Sequence, residues 1–442
     1  MSVSLDDLSA CFEGVIPAVI ATTAADGTPN VSYLSQVVRV DETRIALSNQ
    51  FFAKTAANVR ANRRAQLLLV CPRTGLQYSL DLTWETMLDH GAVFDRINRA
   101  LKAAIAQTGM AHIMRLKAVD LFHVEGIAAI PSPALPGEPP DVPAPPGLPG
   151  FEAIPARVAQ AESAEYLFAQ LMESAGALAD CRHALVLVPE PSRSVLVTAA
   201  AQGHAEAAGA EIPIGEGLIG QCAAAGTTLR INDLSRMRRM GSAVLASTAT
   251  PDTRRVIPLP QLAGAMSQIA VPMVSQGQRL GVLFLESERR LAFDEAVAAG
   301  LETLARQAAA TLERIEHHSD AEVVAARGAA APPGRRRMAV KVDRFDDSVF
   351  IDDRYVIKGV AGRLLVFLLE RAVAEGRTVF TNREIRRAPE LRLPEFKDNL
   401  ETRLLLLARR LEEKDFPVRL VRRGRGVMAL QLDAEPEIEA VS

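Results

Sequence analysis

The residues of this sequence that could do chemistry are most concentrated in the stretch SNQFFAKTAANVRANRRAQLLLV, residues 48–70. Lys54 offers an ammonium group there, and Thr55 offers a hydroxyl and a backbone N–H at the start of a predicted short helix. Because the amino end of a helix is electropositive and has free amide groups, this combination could bind a phosphate. Alternatively, Asn49 or Thr55 caps the helix and Lys54 is a solvated surface charge. The stretch by itself leaves both interpretations open.

The cysteines do not form a recognisable motif. None of the four belongs to a CxxC pair, so the sequence indicates neither a zinc site nor a disulfide framework. The sequence also contains no Walker loop and no nucleophile–base pair, so we predict no metal site and name no catalytic residue. Free cysteines are typical of proteins in a reducing compartment. The four residues are Cys11, Cys71, Cys181 and Cys222.

Length and composition indicate a soluble protein of several domains. The chain has 442 residues, of which 48% are hydrophobic and 23% are charged, and its net charge is −3. These values are ordinary for globular proteins. No stretch approaches the roughly 20 apolar residues that cross a bilayer, and the amino terminus lacks the pattern of a secretory signal. We therefore expect a cytoplasmic protein without a membrane partner.

Two linkers divide the chain into three domains. Residues 131–150 are rich in proline, which fixes φ and removes a hydrogen-bond donor, so this segment cannot join a helix or a central strand. Residues 323–337 are rich in alanine, glycine, proline and arginine. The expected fold class is multidomain α+β, with domains at residues 1–130, 151–322 and 338–433.

The first domain has the pattern of a small, mostly antiparallel barrel with one substantial helix. The turn ADGTPN joins two strand-like runs, KTAANVRAN precedes an apolar strand, and a helical pattern occupies residues 91–107. This order resembles the pyridoxamine 5'-phosphate oxidase-like split barrel over nearly all of residues 10–130. The resemblance implies that FMN is bound, usually between two subunits, so a homodimer is expected. It leaves the substrate open.

The same resemblance implies which residues would contact FMN. In this family the strand corresponding to residues 34–38 lies along the isoalloxazine ring, and the end of the next strand also approaches the cofactor. The segment that contains Lys54 would hold the phosphate. The implied FMN contacts are Ser35, Gln36, Val37, Ser48, Asn49, Lys54, Thr55 and Asn58.

The second domain contains the segments GEGLIGQCAAAGTTLRINDL and IAVPMVSQGQRLGVLFLES, followed by a long amphipathic helix. These segments closely resemble a GAF domain over most of residues 151–322. The resemblance implies a sheet with helices packed on one face, which holds a small ligand or serves as a dimerisation platform. The sequence does not identify the ligand. An insertion at residues 235–265 is interpreted as a long loop, with a lid as the alternative.

The third domain begins with a hairpin pattern, continues with three helical patterns and ends in the hairpin VRLVRRGRGVMALQL. This order resembles the winged helix-turn-helix of the OmpR/PhoB response-regulator type, which implies that residues 338–433 bind DNA. Residues 335–432 contain 23 Lys and Arg against 15 Asp and Glu, an excess of +8 that suits phosphate contacts. The implied DNA contacts are Thr402, Arg403, Arg409, Arg410, Arg422, Arg423 and Arg425.

Leu405 and Leu406 depart from the winged-helix pattern. They stand on the third helix where that family has polar or basic base-reading residues. Leucine cannot hydrogen-bond to base edges. Either the helix reads thymine methyl groups and DNA shape, or this surface binds protein.

The domain order favours a sensor-regulator, in which a flavin-binding barrel and a GAF domain sense redox state or a small molecule and a winged helix passes the signal to DNA. The alternative is an FMN-dependent oxidoreductase of the same barrel family with regulatory GAF and winged-helix modules. In a third interpretation the barrel binds no flavin and the GAF domain is the only sensor. The sequence does not identify the DNA target or the sign of regulation.

Overall fold

The computed structural model describes all three domains but not every residue. Nearly all of both linkers, most of the insertion at residues 235–265 and two implied contacts, Ser35 and Arg425, lie outside the described residues. In the described part of the chain, no helix is long and apolar enough to cross a membrane. The described residues are 3–34, 36–49, 53–106, 116–131, 153–190, 193–204, 210–235, 262–318, 337–391, 400–424 and 426–441.

The first domain is a half-barrel of seven antiparallel strands in the order β2-β1-β5-β6-β7-β4-β3. The predicted turn joins β1 to β2, with Thr23 opposite Pro29. Ile20, Leu67 and Phe122 meet in its core. The strands are β1 Ala18–Thr23, β2 Pro29–Leu34, β3 Val37–Arg39, β4 Arg44–Asn49, β5 Arg64–Val70, β6 Gln77–Leu88 and β7 Ala118–Ile130, and the helical segments are the 3-10 turn η1 Ser9–Glu13, α1 Ala53–Asn62 and α2 Ala92–Ala106.

The second domain is a six-stranded sheet in the order β10-β9-β8-β13-β12-β11. Helices α4 and α6 cover one face, around Leu171 and Leu304. The expectation of helices on a single face is wrong, because α5 packs Leu218 against Leu185 on the other face. The central strands are apolar on both faces, so both need a cover. The elements are α3 Ala153–Ala159, α4 Ala164–Ala179, β8 His183–Glu190, β9 Val195–Gln202, β10 Glu211–Pro213, α5 Gly217–Ala225, β11 Leu229–Ile231, β12 Ser267–Ser275, β13 Gln278–Ser287 and α6 Glu295–His318.

The third domain packs helices between two small sheets, β16-β15-β14-β20 and β17-β19-β18. The predicted apolar face of its last helix is buried, because Leu400, Leu404, Leu407 and Leu411 all enter the core. Strand β20 pairs in parallel with β14 and lies beyond the predicted limit at residue 433. The elements are β14 Arg337–Asp343, β15 Ser348–Ile351, β16 Arg354–Ile357, α7 Gly359–Glu375, β17 Val379–Thr381, α8 Asn382–Arg387, η2 Pro389–Leu391, α9 Leu400–Glu413, β18 Val418–Gly424, β19 Val427–Leu432 and β20 Glu435–Val441.

Candidate functional site

Lys54 lies exposed in the first turn of α1, just after β4 has ended at Asn49. Among the described residues, no carboxylate lies within ion-pair distance of its ammonium group. The first amide groups of a helix have no partner within the helix itself. The start of α1 therefore combines an available cation with a positive dipole end.

The side chains of Thr55 and Asn58 point the other way, into a buried polar cluster beneath α1. The Nδ2 of Asn30 donates to Thr55 Oγ1 at 3.0 Å, and the Ser32 hydroxyl lies 3.0 Å from the same atom. The Nδ2 of Asn58 donates to Thr22 Oγ1 at 3.1 Å. These bonds fasten α1 onto the β1–β2 hairpin and so fix the position of Lys54.

The remaining implied FMN contacts lie on the β3–β4 strand pair. Val37 and Ser48 are buried, and both the amide and the hydroxyl of Ser48 donate to the carbonyl oxygen of Gln36, at 3.2 and 3.3 Å. Asn49 ends β4, and its side chain lies outside the described residues. The structure thus arranges the implied contacts as two groups, one at the start of α1 and one on β3–β4.

A second candidate site is the face of α9 that was expected to meet DNA. The Nη1 of Arg403 donates to Glu190 Oε2 at 2.7 Å, which joins α9 to the end of β8 in the second domain. Thr402 is almost fully buried in the same turn of the helix. In this arrangement neither Thr402 nor Arg403 can reach DNA, so their implied role remains a prediction that requires the two domains to separate.

Glu316, near the end of α6, binds the third domain at two points. Its carboxylate accepts a hydrogen bond from Arg386 Nη2 at 2.7 Å and one from the backbone amide of Glu401 at 3.0 Å. The second bond satisfies an amide in the first turn of α9, where a negative charge is stabilised by the helix dipole. One carboxylate therefore holds both α8 and α9 against the second domain.

Leu405 and Leu406 complete this contact, because both pack against the core of the second domain that α4 and α6 form. Arg409 Nη1 donates to the carbonyl oxygen of Ala199 on β9 at 2.5 Å. Of the two interpretations of this leucine pair, contact with protein is the one that the structure contains, and the protein is another domain of the same chain.

The other implied DNA contacts are partly engaged within the third domain. Arg410 Nε donates to the Val356 carbonyl at 2.9 Å. Arg422 forms an ion pair with Glu401, and about one third of the Arg422 side chain remains exposed to solvent. Arg423 is exposed near the tip of the β18–β19 hairpin.

A cavity of about 430 Å³ lies on the same domain boundary. It is lined by Arg193, Glu211, Tyr355, Lys358 and Leu406, among others. Arg193 donates to both carboxylate oxygens of Glu211, at 2.7 and 2.5 Å, and this bond raises the pKa of the guanidinium. Burial raises the pKa of the Tyr355 hydroxyl to about 12, so it stays protonated at neutral pH. A molecule in this cavity would touch both domains.

Sequence reasoning did not find Glu190, Glu316 or Arg386. None of them belongs to a motif that would mark it, and Glu190 and Arg403 are separated by 213 positions. The only sequence signal for this contact was the unexpected leucine pair on the last helix.

Two family models match the chain. Residues 5–125 match the model described as pyridoxamine 5'-phosphate oxidase, and residues 161–313 match the model described as GAF domain. No curated protein matches the chain.

The similar solved structures each cover one domain. An FMN-binding protein from Syntrophomonas wolfei subsp. wolfei is 16% identical, with 28% of this chain and 83% of that chain covered and a TM-score of 0.25. The GAF domain of an Acinetobacter phosphoenolpyruvate-protein phosphotransferase is 16% identical, with 40% and 97% covered and a TM-score of 0.32. A free methionine-R-sulfoxide reductase from Neisseria meningitidis is 27% identical, with 37% and 86% covered and a TM-score of 0.28.

The family models match the same two segments in which the structure contains a seven-stranded half-barrel and a six-stranded sheet covered by helices. Residues 5–125 are therefore a pyridoxamine 5'-phosphate oxidase-like domain, and residues 161–313 are a GAF domain.

Proposed function

We propose that this protein is a cytoplasmic sensor-regulator, in which an FMN-binding barrel and a GAF domain control a C-terminal DNA-binding domain. The observation that carries the proposal is the docking of α9 on the GAF domain through Arg403, Glu316 and the leucine pair. A helix that is held by a sensory domain can be released when that domain changes, which is a common way of coupling a signal to an output.

The start of α1 fits the phosphate of FMN. Lys54 and the first amide groups of the helix supply the positive charge and donors that a phosphate prefers. Thr55 and Asn58 act as positioning residues in this proposal, because their side chains hold the helix in place. FMN, when bound, supplies reversible redox chemistry. The barrel would bind and orient it, with β3–β4 as the second group of contacts, and a homodimer would bring two such barrels together.

DNA binding is supported by the composition and element order of the C-terminal domain. Its residues 335–432 carry an excess of +8, although the whole chain is at −3. A buried helix, α9, is followed by a basic hairpin, as in winged helices. In the docked arrangement the amino-terminal half of α9 is covered, so we expect the closed protein to bind DNA weakly.

The test compares the full-length protein with a variant in which the contact is opened. Glu190→Gln with Glu316→Gln removes both carboxylates that hold α8 and α9. Each fluorescent-DNA titration is repeated over a range of salt concentrations, because phosphate contacts make affinity salt-dependent. We expect the opened variant to bind about tenfold more tightly, which corresponds to about 1.4 kcal/mol.

The control must match the change of charge, because removal of acidic residues alone favours DNA binding. Glu190→Gln and Glu316→Gln are therefore also measured singly. The control for each is Glu288→Gln, which removes one acidic charge from an exposed position of the GAF domain. Arg423→Ala in the opened background should weaken binding and reduce its salt dependence. If the opened variant shows no salt-dependent affinity for DNA, the DNA-binding function is wrong. Turnover of a nicotinamide cofactor with an acceptor would then favour the FMN-dependent oxidoreductase.

A further inference from the structure

Cys11 and Cys71 come from different elements of the barrel and meet in its core. Cys11 lies in η1 and Cys71 follows the end of β5. Both belong to the same buried cluster, with exposed fractions of only 7% and 9%. Their thiols hydrogen-bond to each other, and no disulfide joins them. The sequence offered no sign of this pair, because its cysteines follow no spacing rule.

The two thiols differ in acidity. The hydrogen bond from Cys11, with further bonds from Thr74 and Arg73, lowers the pKa of Cys71 to about 5. The same hydrogen bond, together with burial, raises the pKa of Cys11 far above its ordinary value. At neutral pH the pair therefore holds one thiolate and one thiol. A thiolate is the form of cysteine that reacts with peroxides, and a neighbouring thiol can then resolve the product.

Neither of the other two cysteines has such an environment. Burial raises the pKa of Cys181, which donates to the carbonyl oxygen of Glu286 at 2.6 Å. Cys222 is completely buried in α5, and burial raises its pKa as well. Both should stay protonated and unreactive, so they serve as internal controls.

We propose that Cys11 and Cys71 form a reversible disulfide when the protein meets a small hydroperoxide, and that this bond alters the contact between the barrel and the GAF domain. First, the Cys71 thiolate attacks one peroxide oxygen and the O–O bond breaks. Sulfur is oxidised to a sulfenic acid, and the alkoxide or hydroxide that leaves takes a proton from the solvent to become an alcohol or water. The sulfur of Cys11 then attacks the Cys71 sulfur. The S–O bond breaks, and the departing hydroxide takes the Cys11 proton to form water.

The link to the GAF domain follows from the residues beside each cysteine. Glu13, two positions after Cys11, accepts a hydrogen bond from Asn232 Nδ2 at 2.9 Å. Arg73, two positions after Cys71, donates to the Leu291 carbonyl at 3.1 Å. The two segments that carry the thiols thus both contact the GAF domain.

Formation of the bond must move these segments. A disulfide fixes its sulfurs about 2.05 Å apart with a restricted dihedral angle, which is much closer than two hydrogen-bonded thiols. The segments on either side of Cys11 and Cys71 are drawn together, and Glu13 and Arg73 shift relative to their partners in the GAF domain.

The first test uses the reduced full-length protein and hydrogen peroxide. We expect the thiols counted after denaturation to fall from four to two per chain, and to return to four with dithiothreitol. Peptide mapping should find one cross-link, between the peptides of Cys11 and Cys71. Cys181→Ser should keep the cross-link. A wild-type protein that shows no such cross-link, or that links other cysteines, overturns the proposal without any variant having to fold.

Two variants test the order of the steps. Cys11→Ser should stop at a sulfenic acid on Cys71 that dimedone traps, whereas Cys71→Ser should leave Cys11 unmodified. The reverse pattern would contradict the assignment of Cys71 as the attacking residue.

Hydrogen exchange tests the effect on the GAF domain. Amides of residues 287–294, where Leu291 and Phe293 are bound to Asn232, should exchange at a different rate in the oxidised protein. The Cys11→Ser protein under the same peroxide treatment is the control and should show no change. A cross-linked protein with unaltered exchange in this segment overturns the coupling.

Discussion

Glu190 of the GAF domain and Arg403 of the C-terminal domain form an ion pair at 2.7 Å in which both side chains are more than nine-tenths buried. Burial of two charges has a large desolvation cost, so such a pair adds little net stability. Removal of one partner, however, strongly destabilises the folded protein. The pair therefore fixes which surfaces meet. It holds α9 on β8 in one register, with Leu405 and Leu406 against the GAF core.

Arg403→Ala should lower the free energy of unfolding by about 3 kcal/mol, because the Glu190 carboxylate stays buried after a cation has been removed. Urea denaturation followed by circular dichroism measures this change. Arg419→Ala is the matched control, since Arg419 is half exposed and lies 3.9 Å from Asp415 in a surface pair, which contributes little. Equal losses of unfolding free energy in the two variants would show that the buried pair contributes no more to stability than a surface pair does.

Lys54→Ala should weaken FMN binding about tenfold to a hundredfold, because a charge-assisted hydrogen bond contributes about 1.5–3 kcal/mol. Quenching of flavin fluorescence during titration of the protein measures the affinity. Lys102→Ala, at an exposed position on α2, removes the same charge from the same domain and should bind FMN as the wild type does. Loss of affinity in both variants would point to a general effect of charge.

Asn58→Ala should destabilise the barrel by about 1–3 kcal/mol, because the buried Thr22 hydroxyl loses one of its donors. Thermal unfolding of the variant measures this loss. Asn62→Ala provides the comparison, since Asn62 is exposed at the end of the same helix and its side chain donates to the Thr23 carbonyl. We expect the smaller effect there, and a larger effect would mean that the polar cluster does not hold α1.

Glu13 should make stability depend on pH. Burial raises the pKa of its carboxyl above the ordinary value of 4.5 in the folded protein, against the opposing effects of Arg230 and Arg73. The folded state therefore binds this proton more tightly than the unfolded chain does. The resulting stabilisation is full below pH 4.5 and is lost as the pH rises through the folded pKa.

Glu13→Gln removes this titration while keeping an acceptor for Asn232. The free energy of unfolding of the wild type minus that of the variant should therefore decrease as the pH rises through this window. Urea denaturation at a series of pH values measures the difference. A difference that is constant, or that increases with pH, would mean that the folded pKa is not raised.

Much of the fold follows from the sequence because its signals are local. The turn ADGTPN specifies the β1–β2 hairpin, and apolar residues at steps of four, three and four specify the buried face of α9. The GAF segments also appear as strands and helices where their patterns predict them. The sequence also predicted a short helix that starts at Thr55, and in the structure this helix begins two residues earlier, at Ala53.

Only the tertiary structure decided which side chains meet. The pairing of Glu190 with Arg403, the shared use of Glu316 by α8 and α9, and the meeting of Cys11 with Cys71 join residues far apart in the chain. A pattern of neighbouring residues records the period of one element and which of its faces is apolar. It does not record how separate elements and domains pack, because that depends on the shape and charge of whole surfaces. For this reason the sequence by itself predicted three domains, while the contacts between them emerged only from the fold.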